Sequence, residues 1–290
     1  MNSYIQQHKK HFNFKAFVKN ALQEDVGDGD HSAMATIPPS KKGKCRLLVK
    51  ENGIIAGIEA AKEIFRLVDP KIKFTAFLKD GDRVNVGDVA FIVEGSSRKL
   101  LTTERLVLNV MQRMSAIATK TNHLQSLCAG SKTKVIDTRK TTPNFRFFEK
   151  WAVVIGGGAN HRFGLYDMIM LKDNHIDFAG GIIKALDATH TYLKKTRKKL
   201  PIEVETRTLN DVKLILDKGG FQRIMLDNYS LADTKKAVAL INNRFEIESS
   251  GGITEKNIAS YAKCGVDFIS VGALTHHVKS MDLSLKVVNE

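Results

Sequence analysis

The sequence predicts an α/β fold in which a parallel (β/α) array curls into a barrel, complete or incomplete, behind a smaller β-rich N-terminal part. Three observations carry this. From Thr133 onward, short apolar β-branched runs ending in polar residues alternate with amphipathic, helix-like stretches. The last four such runs recur at intervals of roughly 20 residues, about what a strand, a loop and a three-turn helix consume, so successive strands are expected to be parallel with right-handed crossovers. No dinucleotide-binding G-x-G-x-x-G follows an early strand, which favours a barrel over a doubly wound sheet.

In chain order, short strands are expected at 45–51, 54–58, 74–78 and 89–94, separated by glycine-containing turns such as Asp80-Gly81-Asp82 and Val86-Gly87-Asp88. Residues 100–129 carry Leu101, Leu106, Leu108, Val110, Met111, Met114 and Ile117 at helical spacing and no Gly or Pro, so one or two helices join the two parts; the methionines read as core filler. The barrel strands are expected at 134–137, 168–171, 202–205, 223–226, 245–248 and 268–271. The expected division is an N-terminal domain over 1–117 and a catalytic barrel over 118–275, with 276–290 packing back on the first.

A chain of 290 residues suits one large and one smaller domain, and 43% hydrophobic with 26% charged residues is a globular composition, far from that of disorder. No apolar run approaches a membrane span and residues 1–15 lack an apolar signal core, so the expectation is a cytoplasmic protein without membrane contact. Cys45, Cys128 and Cys264 are widely spaced and read as reduced, buried thiols. A net charge of +14 is compatible with nucleic acid, acidic surfaces or small anions. Much of the excess lies in runs such as Lys41-Lys42 and Lys194-Lys195 with Lys198-Lys199, which read as solvated faces and lack interleaved stacking aromatics; nucleic acid is therefore not the expected partner.

Barrel active sites gather at the carboxyl ends of the strands, where the βα loops converge. Those ends deliver Asp137-Thr138-Arg139-Lys140-Thr141-Thr142-Pro143, then Lys172-Asp173-Asn174-His175, Glu205, Leu226-Asp227-Asn228, Ser249-Ser250-Gly251-Gly252 and Gly272-Ala273-Leu274-Thr275-His276. Cations and acids on one rim, with His161-Arg162 in an intervening loop, suit a substrate rich in carboxylate and phosphate. The Ser-Gly-Gly and Gly-Ala turns follow the last two strands, a common place for a phosphate to meet backbone N–H groups. Ile155-Gly156-Gly157-Gly158-Ala159 lacks phosphate-loop spacing and carries little by itself.

With these stretches, and with Glu24 to Asp30, Thr103-Glu104-Arg105 through Thr119, Gly156 to Arg162, Leu171 to Ile176, Glu203-Val204-Glu205, Ser250 to Ile253 and Ser270 to His276, the whole chain resembles the quinolinate phosphoribosyltransferase family. The resemblance implies an incomplete parallel (β/α) barrel with a smaller N-terminal α+β sandwich domain. It also implies transfer of phosphoribosyl from phosphoribosyl pyrophosphate to quinolinate with Mg²⁺ and loss of CO₂. By that resemblance Arg139, Arg162 and Lys172 hold the quinolinate carboxylates with His161 beside them, and Lys140 reaches the phosphates. Arg105 is implied to come from the neighbouring subunit of a homodimer. Glu205 and Asp227 are implied to hold the ribose hydroxyls and Mg²⁺, while Ser250, Gly251, Gly252, Gly272, Ala273 and His276 take the 5′-phosphate and neighbouring phosphate groups. The expected catalytic set is Lys140, Lys172, Glu205 and Asp227. Asn144, Ala116 and His31 depart from the family pattern; Asn144 replaces a usual glycine and is expected to keep its left-handed backbone. Two other readings stand beside this one. A paralogue on the same fold would act on another acceptor such as nicotinate, which has too few carboxylates for so many cations. A catalytically silent, nucleic-acid-binding barrel would follow from the basic charge alone.

Overall fold

A computed structural model describes His8 and residues 10–288; residues 1–7, 9, 289 and 290, at the outer ends of the expected domains, lie outside the description. The described chain runs α1 (Phe14–Val26), α2 (His31–Thr36), β1 (Lys42–Val49), β2 (Gly53–Ile54), α3 (Ile58–Val68), β3 (Lys73–Ala76), β4 (Arg83–Val84), β5 (Val89–Ser96) and the 31-residue α4 (Ser97–Leu127). It continues through β6 (Lys134–Ile136), α5 (Arg146–Ile155), β7 (Ile169–Leu171), α6 (Asp173–Ala179), α7 (Ile182–Thr196), β8 (Ile202–Thr206), α8 (Leu209–Lys218) and β9 (Arg223–Asp227). The last elements are α9 (Leu231–Ile241), β10 (Glu246–Ser250), α10 (Ile258–Ala262), β11 (Phe268–Ser270), α11 (Ala273–His276) and β12 (Leu283–Val287). No described helix is long and apolar enough to cross a membrane.

Contacts divide the chain into two compact units, one of Met1–Asn122, Thr141–Gly157 and Leu274–Glu290, the other of His123–Lys140 and Gly158–Ala273. The division differs from the sequence-based one chiefly at Thr141–Gly157. This segment joins the first unit because α5 turns Phe147 and Phe148 toward Phe12, Phe14 and Phe17, with Phe12 and Phe147 stacked at 4.2 Å. Aromatic pairs of this kind add about 0.5–1.5 kcal/mol each beyond their buried area.

The first unit holds an antiparallel sheet ordered β12-β1-β5-β3. Its core includes Leu47, Val49, Phe65, Phe91, Met111 and Met114, all fully buried or nearly so. The strand expected over 54–58 ends at Ile54, and Ile58 already opens α3. Ile58, Ala61, Ile64 and Phe65 form its buried face at helical spacing. The signal that starts this helix is non-local, because the Asp80 carboxylate accepts the Ile58 N–H at 2.8 Å from 22 residues downstream. Gly57 enters at φ +95°, and a Cβ there would press on the Met111 main chain at 3.3 Å. One buried ion pair ties the unit's helices to its connecting segments. Glu149, fully buried, accepts from the Arg113 guanidinium at 2.8 Å and from both the N–H and the hydroxyl of Thr142. Arg113 in turn donates to the Thr275 carbonyl.

The second unit holds a parallel sheet ordered β6-β11-β10-β9-β8-β7, with β6 and β7 as unjoined edges: an incomplete barrel. Its helices start on local signals. Thr208 and Asp211 cap α8 reciprocally at 3.1 and 2.9 Å, and Ser230 caps α9. Strand alternation divides the sheet's two faces by chemistry. Val135, Val204, Ile224, Ile247 and Ile269 share one face and are buried, each worth about 1.5–3 kcal/mol. The other face carries Glu203, Arg223, Glu246 and Glu248. Glu203 and Glu246 sit in register with Arg223 from either side. Arg223 donates to Glu246 at 3.0 Å and to Glu248 at 3.3 Å while its guanidinium lies 4.0 Å above the Phe268 ring.

Two predictions follow from these buried charges. Glu149→Ala leaves Arg113 without its carboxylate partner and should lower unfolding stability by about 3–5 kcal/mol in urea titration; a loss under about 1 kcal/mol would show that the pair holds nothing. Glu248 is pushed up from 4.5 to about 8, first by burial and then by the Glu203 charge. The folded chain thus keeps a proton that the unfolded chain releases, so this group's contribution to stability falls as pH rises from about 4.5 to about 8. Glu248→Gln should flatten that decline in thermal melts across the window, and a slope identical to wild type would contradict the assignment.

Candidate active site

The rim at the carboxyl ends of the parallel strands is built outward from buried groups. Asp137, fully buried just past β6, accepts the His161 main-chain N–H at 3.0 Å and the Asn160 amide at 2.6 Å. It thereby fastens the 160–162 loop to the end of β6. Beyond it, Thr138 turns the chain by accepting the Lys140 N–H at 3.0 Å, and Arg139 and Lys140 occupy exposed positions.

His161 is 7% exposed. Its Nδ1 accepts the Arg162 N–H at 2.7 Å, and its Nε2 lies 2.8 Å from Glu203 and 3.4 Å from Glu248. Both ring nitrogens thus face protein groups. Arg162 is nearly as buried and donates to the Met168 carbonyl at 3.1 Å. Its guanidinium is pushed down, first by burial and then by the positive charge of Arg139, with Glu203 and Asp167 pulling the other way. Two guanidinium groups brought close enough to oppose each other's charge at a strand-end rim are suited to an anion.

On the next strands, Lys172 precedes α6, whose first N–H, from Asp173, reaches the Glu205 carboxylate at 3.3 Å. Glu205 is pushed up by burial and by the Asp227 and Asp173 charges, while the Asp173 hydrogen bond and Lys172 lower it. Glu205 and Asp227 end neighbouring strands, and their mutual repulsion is what a hard divalent cation would relieve. Past β10, Gly251 has φ +88°, and a Cβ on it would lie 2.2 Å from the Asn228 side-chain oxygen. Asn228, itself at φ +55°, donates its N–H to the Ser250 carbonyl at 2.8 Å. The turn therefore needs glycine for both its backbone and its packing. Gly252 also has positive φ, at +62°, and Gly272 and Ala273 follow β11.

The sequence-predicted residues Arg139, Lys140, His161, Arg162, Lys172, Glu205, Asp227, Ser250, Gly251, Gly252, Gly272 and Ala273 all belong to the second unit. Charge links Arg139 with Arg162, and Glu205 with both Lys172 and Asp227. Arg105, exposed on α4, and His276, exposed at the end of α11, belong to the first unit. Reading only the strand ends overlooked Glu203, Arg223 and Glu248. The signal for them was present as charged residues at alternate positions of three successive strands, where a barrel interior ordinarily carries branched apolar side chains.

Comparison with known proteins places this geometry. Residues 117–286 match the family described as quinolinate phosphoribosyl transferase, C-terminal domain, and residues 30–115 match its N-terminal domain. The chain is 46% identical to the chloroplastic nicotinate-nucleotide pyrophosphorylase [carboxylating] of Arabidopsis thaliana, with 96% of this chain and 84% of that protein covered. It is 38% identical to the probable nicotinate-nucleotide pyrophosphorylase [carboxylating] of Bacillus subtilis (strain 168), covering 96% and 94%. The crystal structure of NadC from Streptococcus pyogenes superimposes with a TM-score of 0.89 at 38% identity over 100% of both chains. The nicotinate-nucleotide pyrophosphorylase from Francisella tularensis gives 0.85 at 37%, covering 95% and 96%. With both domains matched in order and relatives aligned over nearly the whole length, the chain belongs to the quinolinate phosphoribosyl transferase family.

Proposed function

We propose that this chain transfers the phosphoribosyl group of phosphoribosyl pyrophosphate to quinolinate, releasing pyrophosphate and CO₂ and leaving nicotinate mononucleotide, a step of de novo NAD formation. The observation that carries the reading is the gathering of Arg139, Arg162 and Lys172 at the carboxyl ends of the parallel strands, with the loop that bears Arg162 fastened to the end of β6 by Asp137. Quinolinate has two adjacent carboxylates and nicotinate one, so this density of cations favours the diacid.

Arg139, Arg162 and Lys172 bind and orient the carboxylates with His161 beside them, aligning the pyridine nitrogen with the anomeric carbon. Lys140, the Ser250-Gly251-Gly252 turn, Gly272, Ala273 and His276 hold phosphate groups. The N–C bond forms as the bond to pyrophosphate breaks. The C2–carboxylate bond then breaks, and its electron pair stays on a ring carbon stabilised by the cationic nitrogen before taking a proton. No nucleophilic side chain is required; positioning and electrostatics do the work, and alignment alone recovers about 7–11 kcal/mol in favourable cases. Glu205 and Asp227, oxygen donors at the carboxyl ends of neighbouring strands, would hold a Mg²⁺ and ribose hydroxyls. When bound, the ion supplies positive charge against the leaving pyrophosphate. Asp173, next to Lys172, orients that lysine. Arg105 completes the site of the neighbouring subunit in a homodimer.

Wild-type protein given quinolinate, phosphoribosyl pyrophosphate and Mg²⁺ should form nicotinate mononucleotide and CO₂ in equal amounts; turnover of nicotinate with indifference to quinolinate would establish the paralogue reading instead. Arg105→Ala and Lys172→Ala should each be inactive as dimers. Mixed and re-equilibrated, they should regain about a quarter of wild-type activity, because half the dimers are hybrid and each hybrid has one intact site. No recovery in demonstrably hybrid dimers would mean that Arg105 serves its own subunit.

A further inference from the structure

Beneath the rim, His161 is held at three points. Its main-chain N–H goes to Asp137 at 3.0 Å, its Nδ1 accepts the Arg162 N–H at 2.7 Å, and its Nε2 lies 2.8 Å from Glu203 Oε2. A ring nitrogen that accepts a hydrogen bond carries no proton, so the single ring proton belongs on Nε2, the nitrogen that lies 2.8 Å from the carboxylate. Glu203 is fully buried on β8, and Glu248, equally buried on β10, lies 3.4 Å from the same Nε2. Arg223, between them on β9, donates to Glu248 at 3.3 Å.

His161, Glu203 and Glu248 are close enough together to surround a metal ion, but two features argue for a purely organic network. The guanidinium of Arg223 already supplies positive charge at Glu248, and the Nε2 that would ligate a metal carries the proton.

We propose that Glu203, backed by Glu248 and Arg223, is a positioning residue for the acceptor-binding arginine: it fixes the ring of His161, and His161 Nδ1 fixes the main chain of Arg162. The chain of contacts is continuous and lies within one compact unit. Glu203 sets the ring's tautomer and rotation. The ring then offers Nδ1 to Arg162, whose side chain is steadied separately by the Met168 carbonyl. Glu203 reaches the substrate only through these two residues and is not itself a catalytic residue. The inference rests on the reading of Arg162 as a quinolinate contact.

The experiment compares two substitutions of similar volume in the full-length protein. Glu203→Gln keeps an oxygen that can accept the Nε2 proton; Glu203→Met does not. Glu203→Met should raise the KM for quinolinate about tenfold or more while that for phosphoribosyl pyrophosphate stays within about twofold, and Glu203→Gln should restore most of the loss. Both KM values rising together, or Gln behaving as poorly as Met, would overturn the proposal. Nitrogen-15 histidine NMR of the wild-type protein reads the same contact without activity and stands even if the Met variant does not fold. It should find His161 protonated at Nε2 and bare at Nδ1. A proton on Nδ1, or on both nitrogens, would also overturn the proposal. If wild type ignores quinolinate but the tautomer is as stated, it is the reaction assignment that fails and not the His161 contact.

Discussion

Charge buried inside a parallel sheet has to be compensated where it lies, because the desolvation cost of an unpaired carboxylate or guanidinium is several kcal/mol. The barrel unit accepts that constraint on part of one face of its sheet, where Glu203 and Glu248 are fully buried and Glu246 reaches the exposed end. Glu203, Arg223, Glu246 and Glu248 sit on three successive strands, and Arg223 bridges two of the acids while stacking on Phe268. Such an arrangement is worth having only if its geometry is held closely, and the opposite face, with Val204, Ile224, Ile247 and Ile269 buried, supplies the packing that holds it.

The rim grows out of this charged layer. His161 inserts its ring against the acids and is tied to β6 through Asp137, which sets the course of the chain into Arg162. Two residues beyond Glu203 along the same strand face comes Glu205, and one strand over, Asp227. The upper acids, spaced by the strand repeat, stand at the rim, while the lower ones lie against His161 and Arg223. Within the other unit the comparable element is Glu149, which joins Arg113 to Thr142, two positions along the chain from Lys140.

Much of the fold was legible because its signals are local. Short apolar runs ending in polar residues marked all six parallel strands, the last four at a regular spacing, and each observed strand overlaps its expected span. Asn144, expected to keep a left-handed backbone, has φ +62°. The helix α3 was overlooked because its cap is a carboxylate 22 residues away, and β12 because its partner β1 lies at the far end of the sequence. The rim residues were legible as the polar ends of apolar strands. The layer beneath was not, since a Glu in the middle of a strand reads as solvent-facing until the register places an arginine beside it. Arg105, in the middle of α4, stood out only through family resemblance, whereas His276 closes the last strand-end stretch and owes to the resemblance only its phosphate role.

If the rim cations are assembled for a diacid, binding alone distinguishes quinolinate from nicotinate. Calorimetric titration of the protein with quinolinate and with nicotinate, in parallel and without phosphoribosyl pyrophosphate, tests this most directly. Binding of quinolinate at least about tenfold tighter than nicotinate, with the preference lost in Arg162→Ala, is the predicted result. Equal affinity for the two acids, or a preference that survives the loss of Arg162, would contradict it.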